Sequence, residues 1–540
     1  MRGWLVILGL VGCGSDDGPA YTGPITANAT HYDYALDIDA GTAHSKVTLA
    51  ATAAGDCLDI PFRAASFANA KFGDEAITAT QPDAKTLEFC SSTGVNVGDA
   101  FTIEADVTLA NATVGLSDIG YSVQKDAQGN QFTYLVSWVN GCDQFGPCDN
   151  DPANFATYTF DVTHAANELV RCSGDVTDVS PTETTCDFEH AGGPSYSTFG
   201  VAAYTGWTMR DKGTWSGVHV TLYDRDSTMV DAAIDPAFHT GYLDFMQATF
   251  GPYPFGSELR LLTAPTYWNG FEHPGNIVLN DTLAKQTRTY THNVQHVLDH
   301  EMTHMWAGDQ TTIAATYDFV WKESMAEYLS FVYEDMTDPA AALATSAIWK
   351  SDAEGARYWP VPTDMPILYD YYGDTYGPGP MVLFHQLEVL TSRDAVIAAL
   401  KQVLGKQRAL SVDDLLAQLS ASTGLDLTDY AAGWIRGAGK PTWPTVATTY
   451  ASGTLHLDIT NGEKRGCKFH VELSDGTPAN AINVEVNTFE NNAPSIDLAV
   501  TPAPAFTVTQ ITLDPDNECL VFPANAAVAK SSVRGWRSQR

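Results

Sequence analysis

His300-Glu301-Met302-Thr303-His304, followed after eighteen intervening residues by Glu323, is the stretch that decides how this chain is read. On a helix, positions i and i+4 stack on one face. His300 and His304 can therefore present two imidazole nitrogens to one metal ion. Glu301 sits beside the first of them, within reach of a water molecule at that metal. Neutral imidazoles bind a divalent cation without cancelling its charge, and an adjacent carboxylate can take a proton from water and pass it on. After Trp306 and Gly308 the helical pattern breaks at Gln310-Thr311-Thr312 and resumes from Trp321 through Lys322, Glu323 and Ser324 to Leu329. Two helices joined this way can run antiparallel, which returns Glu323 to the histidine pair. Two His, one Glu and an open position make a catalytic zinc ligand set. A bare H-E-x-x-H also arises by chance; a glutamate at this distance is what separates the two cases.

Outward from this core, the metal helix is expected to start near Tyr290-Thr291, with Thr291 as its N-cap and Val294, Val297 and Leu298 on its apolar face. Upstream, Phe238, Tyr242, Phe245, Met246 and Thr249 share one face of a helix that Gly251-Pro252-Tyr253-Pro254-Phe255 stops. Leu259 to Leu262 and Ile277 to Leu279 read as strands. Between them, Trp268-Asn269-Gly270-Phe271-Glu272-His273-Pro274-Gly275 forms a glycine-bearing loop beside an edge strand. Such a loop can hold an extended peptide, with Glu272 facing a positive group; a plain turn with Glu272 in water is the other reading. Downstream the pattern is helical to about Ser392, with a break from Tyr369 to Pro380, and further helices extend to residues 437–444.

The flanks read as β. From about Pro24 to Tyr223 short alternating segments recur, such as Tyr32, Tyr34, Leu36 and Ile38 against Asp33, Ala35, Asp37 and Asp39, or Phe101, Ile103, Ala105, Val107 and Leu109. From Thr445 to about Ala527 strands return, including Leu455 to Ile459 and Phe506 to Thr509. The expected layout is a signal peptide (1–12), a tether (13–23), an N-terminal antiparallel β domain (24–223), a catalytic α/β domain (224–443), a C-terminal β-sandwich (444–527) and a tail (528–540).

The 540 residues carry 29 Lys and Arg against 65 Asp and Glu, a net charge of −36. That charge repels nucleic acid and anionic lipid surfaces, so neither is expected as a partner. At the N-terminus, Arg2 precedes a short apolar run that ends in Leu10-Val11-Gly12-Cys13. The run is too short to span a bilayer and fits a secretory signal. Its end resembles a bacterial lipoprotein box, which implies lipid modification of Cys13 and anchoring in the bacterial cell envelope. A plain signal peptide is the alternative. Eight cysteines remain beyond Cys13, an even number that suits an exported, disulfide-bonded chain. Pairs close in sequence are expected: Cys57–Cys90, Cys142–Cys148, Cys172–Cys186 and Cys467–Cys519.

Taken together, these motifs resemble the aminopeptidase-N-type zinc peptidases, the gluzincins related to leukotriene hydrolases. The resemblance rests on Cys142 to Val162, Gly251 to Phe255, Asn269 to His273, His300 to His304 with Glu323, Tyr376-Gly377-Pro378-Gly379, and Asp426 to Pro441, in the family's order. It implies an N-terminal β domain, a thermolysin-like catalytic domain and a β-sandwich, without the large helical C-terminal domain of longer members. It implies one zinc ion on His300, His304 and Glu323, Glu301 as general base, and Tyr376 as donor to the oxyanion. Glu272 would grip the free α-ammonium of a peptide substrate, Gly270 would contact its backbone, and Asp309 is either a support for the site or a capping aspartate. The chain departs from the family at Asn269, Phe271 and His273 around Glu272, and at Lys322 and Ser324 beside Glu323, where Asn and Gly are common. No glutamine lines the region of Ser137-Trp138. Two further readings stay open: a thermolysin-like endopeptidase, against which Glu272 argues, and a catalytically silent binding lipoprotein, against which the intact ligand set argues.

Overall fold

The structure is a computed structural model that describes residues 23–111, 120–126, 128–266, 268–286, 290–490 and 492–524. The signal segment, Cys13 and the 528–540 tail lie outside the described residues. Among the described residues, no helix is long and apolar enough to cross a membrane.

The N-terminal part is β, as its alternation predicts. Pro24–Asp37 lies centrally in an eleven-stranded sheet, antiparallel to Thr42–Ala53 and parallel to Phe155–Thr163. Tyr32, Tyr34, Leu36 and Ile38 are all buried, and so are Phe101, Ile103, Ala105, Val107 and Leu109. With Tyr158, Phe160 and Phe199 these side chains stack into an aromatic core. A four-stranded sheet from Gly120–Lys125, Gln131–Val136, Leu169–Arg171 and Gly200–Tyr204 completes this part. All four expected disulfides form, three of them here.

The α/β region is built on five strands: β1 (Thr208–Trp215), β2 (Val218–Asp224), β3 (Glu258–Ala264), β4 (Gly270–Phe271) and β5 (Asn276–Asn280). Their order is β1-β2-β3-β5-β4, parallel through β2, β3 and β5, with β4 antiparallel at the edge. Strands β1 and β2 lie upstream of residue 224 yet hydrogen-bond into this sheet, and Trp215, Val218, Val220 and Leu222 share one apolar core with residues 294–332. The α/β region therefore starts at Thr208, upstream of the boundary drawn from the sequence.

Helices α1 (Pro236–Phe250) and α2 (Asn293–His304) pack on the sheet, and α3 (Phe319–Thr337) packs between α2 and α4 (Pro339–Gly355). Asp235 caps α1 by accepting from the Ala237 and Phe238 amides. Gly251, at φ 101°, ends it in a backbone conformation that suits glycine. The buried face of α1 centres on His239, Tyr242, Leu243, Met246 and Phe250, while Phe238 and Phe245 are its half-buried flanks. Helix α2 begins at Asn293 after His292, which makes no side-chain cap, so Thr291 does not cap it. Helix α3 is buried on every face from Phe319 to Glu334, which places it at the centre of the region.

The C-terminal strands form a four-stranded and a three-stranded sheet whose inner residues include Leu455, Leu457, Phe469, Val471, Leu473 and Val486. Residues 506–509 alternate in burial as expected but join no ladder. The strand there is Gln510–Leu513, which pairs with Lys468–Ser474.

Candidate active site

Helices α2 and α3 bring the two halves of the sequence motif together. His300 Nε2 and His304 Nε2 stand 3.1 Å apart. Glu323 Oε2 lies 3.3 Å from the first and 3.6 Å from the second. All three side chains are buried. The second ring nitrogen of each histidine is committed elsewhere. His304 Nδ1 donates to the Ala307 carbonyl at 3.0 Å, and His300 Nδ1 faces Glu327 Oε1 at 3.1 Å. The bond to Ala307 holds His304 in the tautomer that leaves Nε2 free for a metal, and Glu327 stands against the far side of the His300 ring. Two imidazole nitrogens and one carboxylate oxygen converging this way fit zinc.

The electrostatics suit that role. Burial, with Lys322 nearby, lowers the pKa of His304, so it stays a neutral ligand. Burial would also lower His300, but Glu323 and Glu327 reverse this and push it up to about 10, which marks a site organised to hold positive charge. Burial pushes Glu301 up to about 8, with His300 opposing the shift, so this carboxylate is poised to exchange a proton near neutral pH. Burial, then Glu323, raises Tyr376 well above the usual phenol range, so it remains a donor. Its hydroxyl donates to Glu323 Oε2 at 2.8 Å.

The edge strand supplies the other wall. Gly270 packs directly on Glu301: a Cβ there would collide with Oε1. Its glycine is thus required by the neighbouring carboxylate. Glu272 is buried, not in water, and Lys322 Nζ donates to its Oε1 at 2.8 Å. Trp138, Trp268, Phe271, Phe319 and Tyr372 line the same cleft as Gly270, Glu272, His300, Glu301, His304, Glu323 and Tyr376. All seven motif residues named from the sequence therefore meet in one cavity. Cys13 lies outside the described residues. Asp309 is fully buried and accepts from Ser197. It bonds to Ser197 and not to a ligand side chain, which leaves it supporting the turn after α2.

A second set of residues is not singled out by the sequence motifs. His296 is wedged between Glu334, at 2.7 Å, and Glu327, at 3.3 Å. Glu327 also accepts from Trp349 Nε1 at 2.8 Å and from the Tyr290 hydroxyl. This buried chain runs beneath His300. Its signal was helical spacing: His296 stands four residues before His300, and Glu327 four after Glu323.

Residues 238–434 match the peptidase family M1 domain. The mouse thyrotropin-releasing hormone-degrading ectoenzyme is 30% identical over 214 residues, covering 36% of this chain and 19% of that protein. Aminopeptidase N of Lactobacillus helveticus is 22% identical over 498 residues, covering 83% of this chain and 56% of that protein. Among solved structures, a variant of an M1 zinc metallopeptidase from Deinococcus radiodurans, bound to a Tyr-Ser-Ala substrate, superposes with a TM-score of 0.63 at 19% identity, covering 77% of this chain and 96% of that one. Legionella pneumophila aminopeptidase A, in complex with aspartic acid, gives 0.72 at 14% identity, covering 92% of this chain and 59% of that one. Residues 238–434 are thus similar to the M1 peptidase domain, and the fold is that of the M1 metallopeptidases. The chain's match spans about a fifth of the length of the mouse ectoenzyme and just over half that of the Lactobacillus enzyme.

Proposed function

We propose that this protein is a zinc aminopeptidase that hydrolyses the first peptide bond of peptides with a free N-terminus. The observation that carries the reading is the convergence of His300, His304 and Glu323 in one cleft with a second acid, Glu272, on the opposite wall. His300, His304 and Glu323 would hold the zinc ion, which would supply Lewis acidity toward the scissile carbonyl and water. Glu301 takes the proton of the attacking water and delivers it to the leaving amine. Tyr376 turns its hydroxyl to the developing oxyanion, and one such donor is worth roughly 3 kcal/mol. Glu272 pairs with the substrate's α-ammonium, which fixes the register at one residue from the end. Gly270 leaves room for Glu301 and brings the edge strand close enough to pair with substrate backbone. The aromatic wall excludes water and strengthens each of these contacts.

The layout supported by the strand pairing is an N-terminal β domain to about residue 207, a thermolysin-like catalytic domain from 208 to 443 and a β-sandwich beyond. The Leu10-to-Cys13 box and the four disulfides support an exported protein anchored in the envelope by a lipid on Cys13. Metabolic labelling with a fatty acid, lost in Cys13→Ser, tests that part.

The reaction is tested with aminoacyl fluorogenic amides, with and without a chelator. Release should require zinc and fall by about 10² to 10⁴ in Glu301→Gln while the metal stays bound. Full activity in that variant would reject the mechanism, and rapid cleavage of N-blocked peptides would favour the endopeptidase.

A further inference from the structure

We propose that Lys322 sets the substrate preference of this cleft, favouring peptides whose first residue carries its own carboxylate. The inference rests on the aminopeptidase reading and deepens it. Lys322 is buried and, among the described residues, is the one Lys or Arg lining the cleft. Its Nζ donates to Glu272 Oε1 at 2.8 Å and to Glu323 Oε1 at 2.7 Å, and lies 3.5 Å from His304 Nε2. It also sits 5.5 Å from the centre of the Phe319 ring. A primary ammonium therefore already stands on the acid that would receive the substrate's amine.

Charge balance follows from the lining residues. Glu272, Glu301 and Glu323 bring three carboxylates. Lys322 offsets one, and a divalent metal ion on the ligand set offsets the other two. With Glu301 ionised, the form in which it acts as base, the cleft is neutral before a peptide enters. A peptide with a neutral first side chain carries its α-ammonium into this closed site as an unbalanced charge, and a basic one carries two. Desolvating such charge without a partner is costly. An N-terminal Asp or Glu brings a carboxylate with its ammonium and adds no net charge. Its amine can share Glu272 while its carboxylate accepts from Lys322. The aromatic wall contributes no competing cation.

The test compares isosteric pairs, Glu against Gln and Asp against Asn, as aminoacyl amides with the zinc-loaded full chain. The wild type should show kcat/KM at least about tenfold higher for each acidic member, with Lys and Arg amides slowest. Lys322→Met should bring the ratio to one or below, while Lys322→Arg keeps it above one. Calorimetric binding of free L-glutamate and L-glutamine should follow the same order in each protein. Equal kcat/KM for Glu and Gln amides in the wild type, or an unchanged ratio in zinc-loaded Lys322→Met, overturns the proposal. If Lys322→Met does not fold, the wild-type ratio and Lys322→Arg decide. If no amide is turned over, the aminopeptidase reading fails instead, and equal binding of glutamate and glutamine overturns the Lys322 proposal independently.

Discussion

The two ends of the cleft are built differently. The metal end draws His300, His304 and Glu323 from helices α2 and α3, and a buried chain of Glu327, His296 and Glu334 backs His300. The amine end is a two-residue edge strand and the loop after it, with Glu272 held by a single lysine from α3. Rigid helices hold ligand atoms at fixed separations of 3.1 to 3.6 Å, as metal binding requires. An edge strand offers backbone and a carboxylate to a ligand that arrives from solution. In the proposed mechanism, chemistry is fixed at one end and selection is made at the other.

Breaking the metal end should have the largest effect. His304→Ala or Glu323→Ala is expected to abolish bound zinc, measured by elemental analysis, and to lower kcat/KM by more than about a thousandfold. Retention of zinc and activity would show that the ligands lie elsewhere. Tyr376→Phe is the next step down. Removing one oxyanion donor should reduce kcat by about 10² to 10³ and leave KM nearly unchanged. A change confined to KM would make Tyr376 a binding residue.

Glu327→Gln tests the support beneath His300. Zinc affinity should fall by about 10- to 100-fold, read by competition with a chelator, while the aromatic near-ultraviolet signal of the fold is preserved. Unchanged affinity would reduce Glu327 to a packing residue.

The smallest effect concerns stability. His296 is fully buried, and burial would lower its pKa, but Glu334 and Glu327 outweigh this and push it up to about 9. The folded state thus holds the ring charged. Its contribution is complete below the ordinary histidine pKa of about 6.5 and is lost as pH rises through about 9, a few kcal/mol in all. Thermal denaturation should show stability falling across that window, and His296→Gln should flatten the fall.

The same contrast explains what the sequence disclosed. The metal end is written in fixed spacing: a histidine four positions after the first, then a glutamate on the next helix, which an antiparallel turn returns to the pair. The disulfides and the alternating strands around Tyr32 and Phe101 were legible for the same reason, since neighbours in sequence or period decide them. The chain Glu327, His296 and Glu334 obeyed helical spacing too, but polar residues on a helix ordinarily face water. Only the burial of α3 on every side turns them inward. Strands β1 and β2 follow directly on the N-terminal strands, and a strand's local pattern carries no information about which sheet it joins. Lys322 was visible as a departure beside Glu323. That it bridges to Glu272, fifty residues away in sequence, depends on how α3 packs against the edge strand.

The measurement that bears most directly on the two-ended cleft is the ratio of kcat/KM for a free aminoacyl amide to that for its N-acetylated form, in the wild type and in Glu272→Gln. A large wild-type ratio that falls by about ten- to a hundredfold in the variant, through loss on the free-amine substrate alone, is what this arrangement predicts. An unchanged ratio, or equal turnover of both substrates by the wild type, would contradict it.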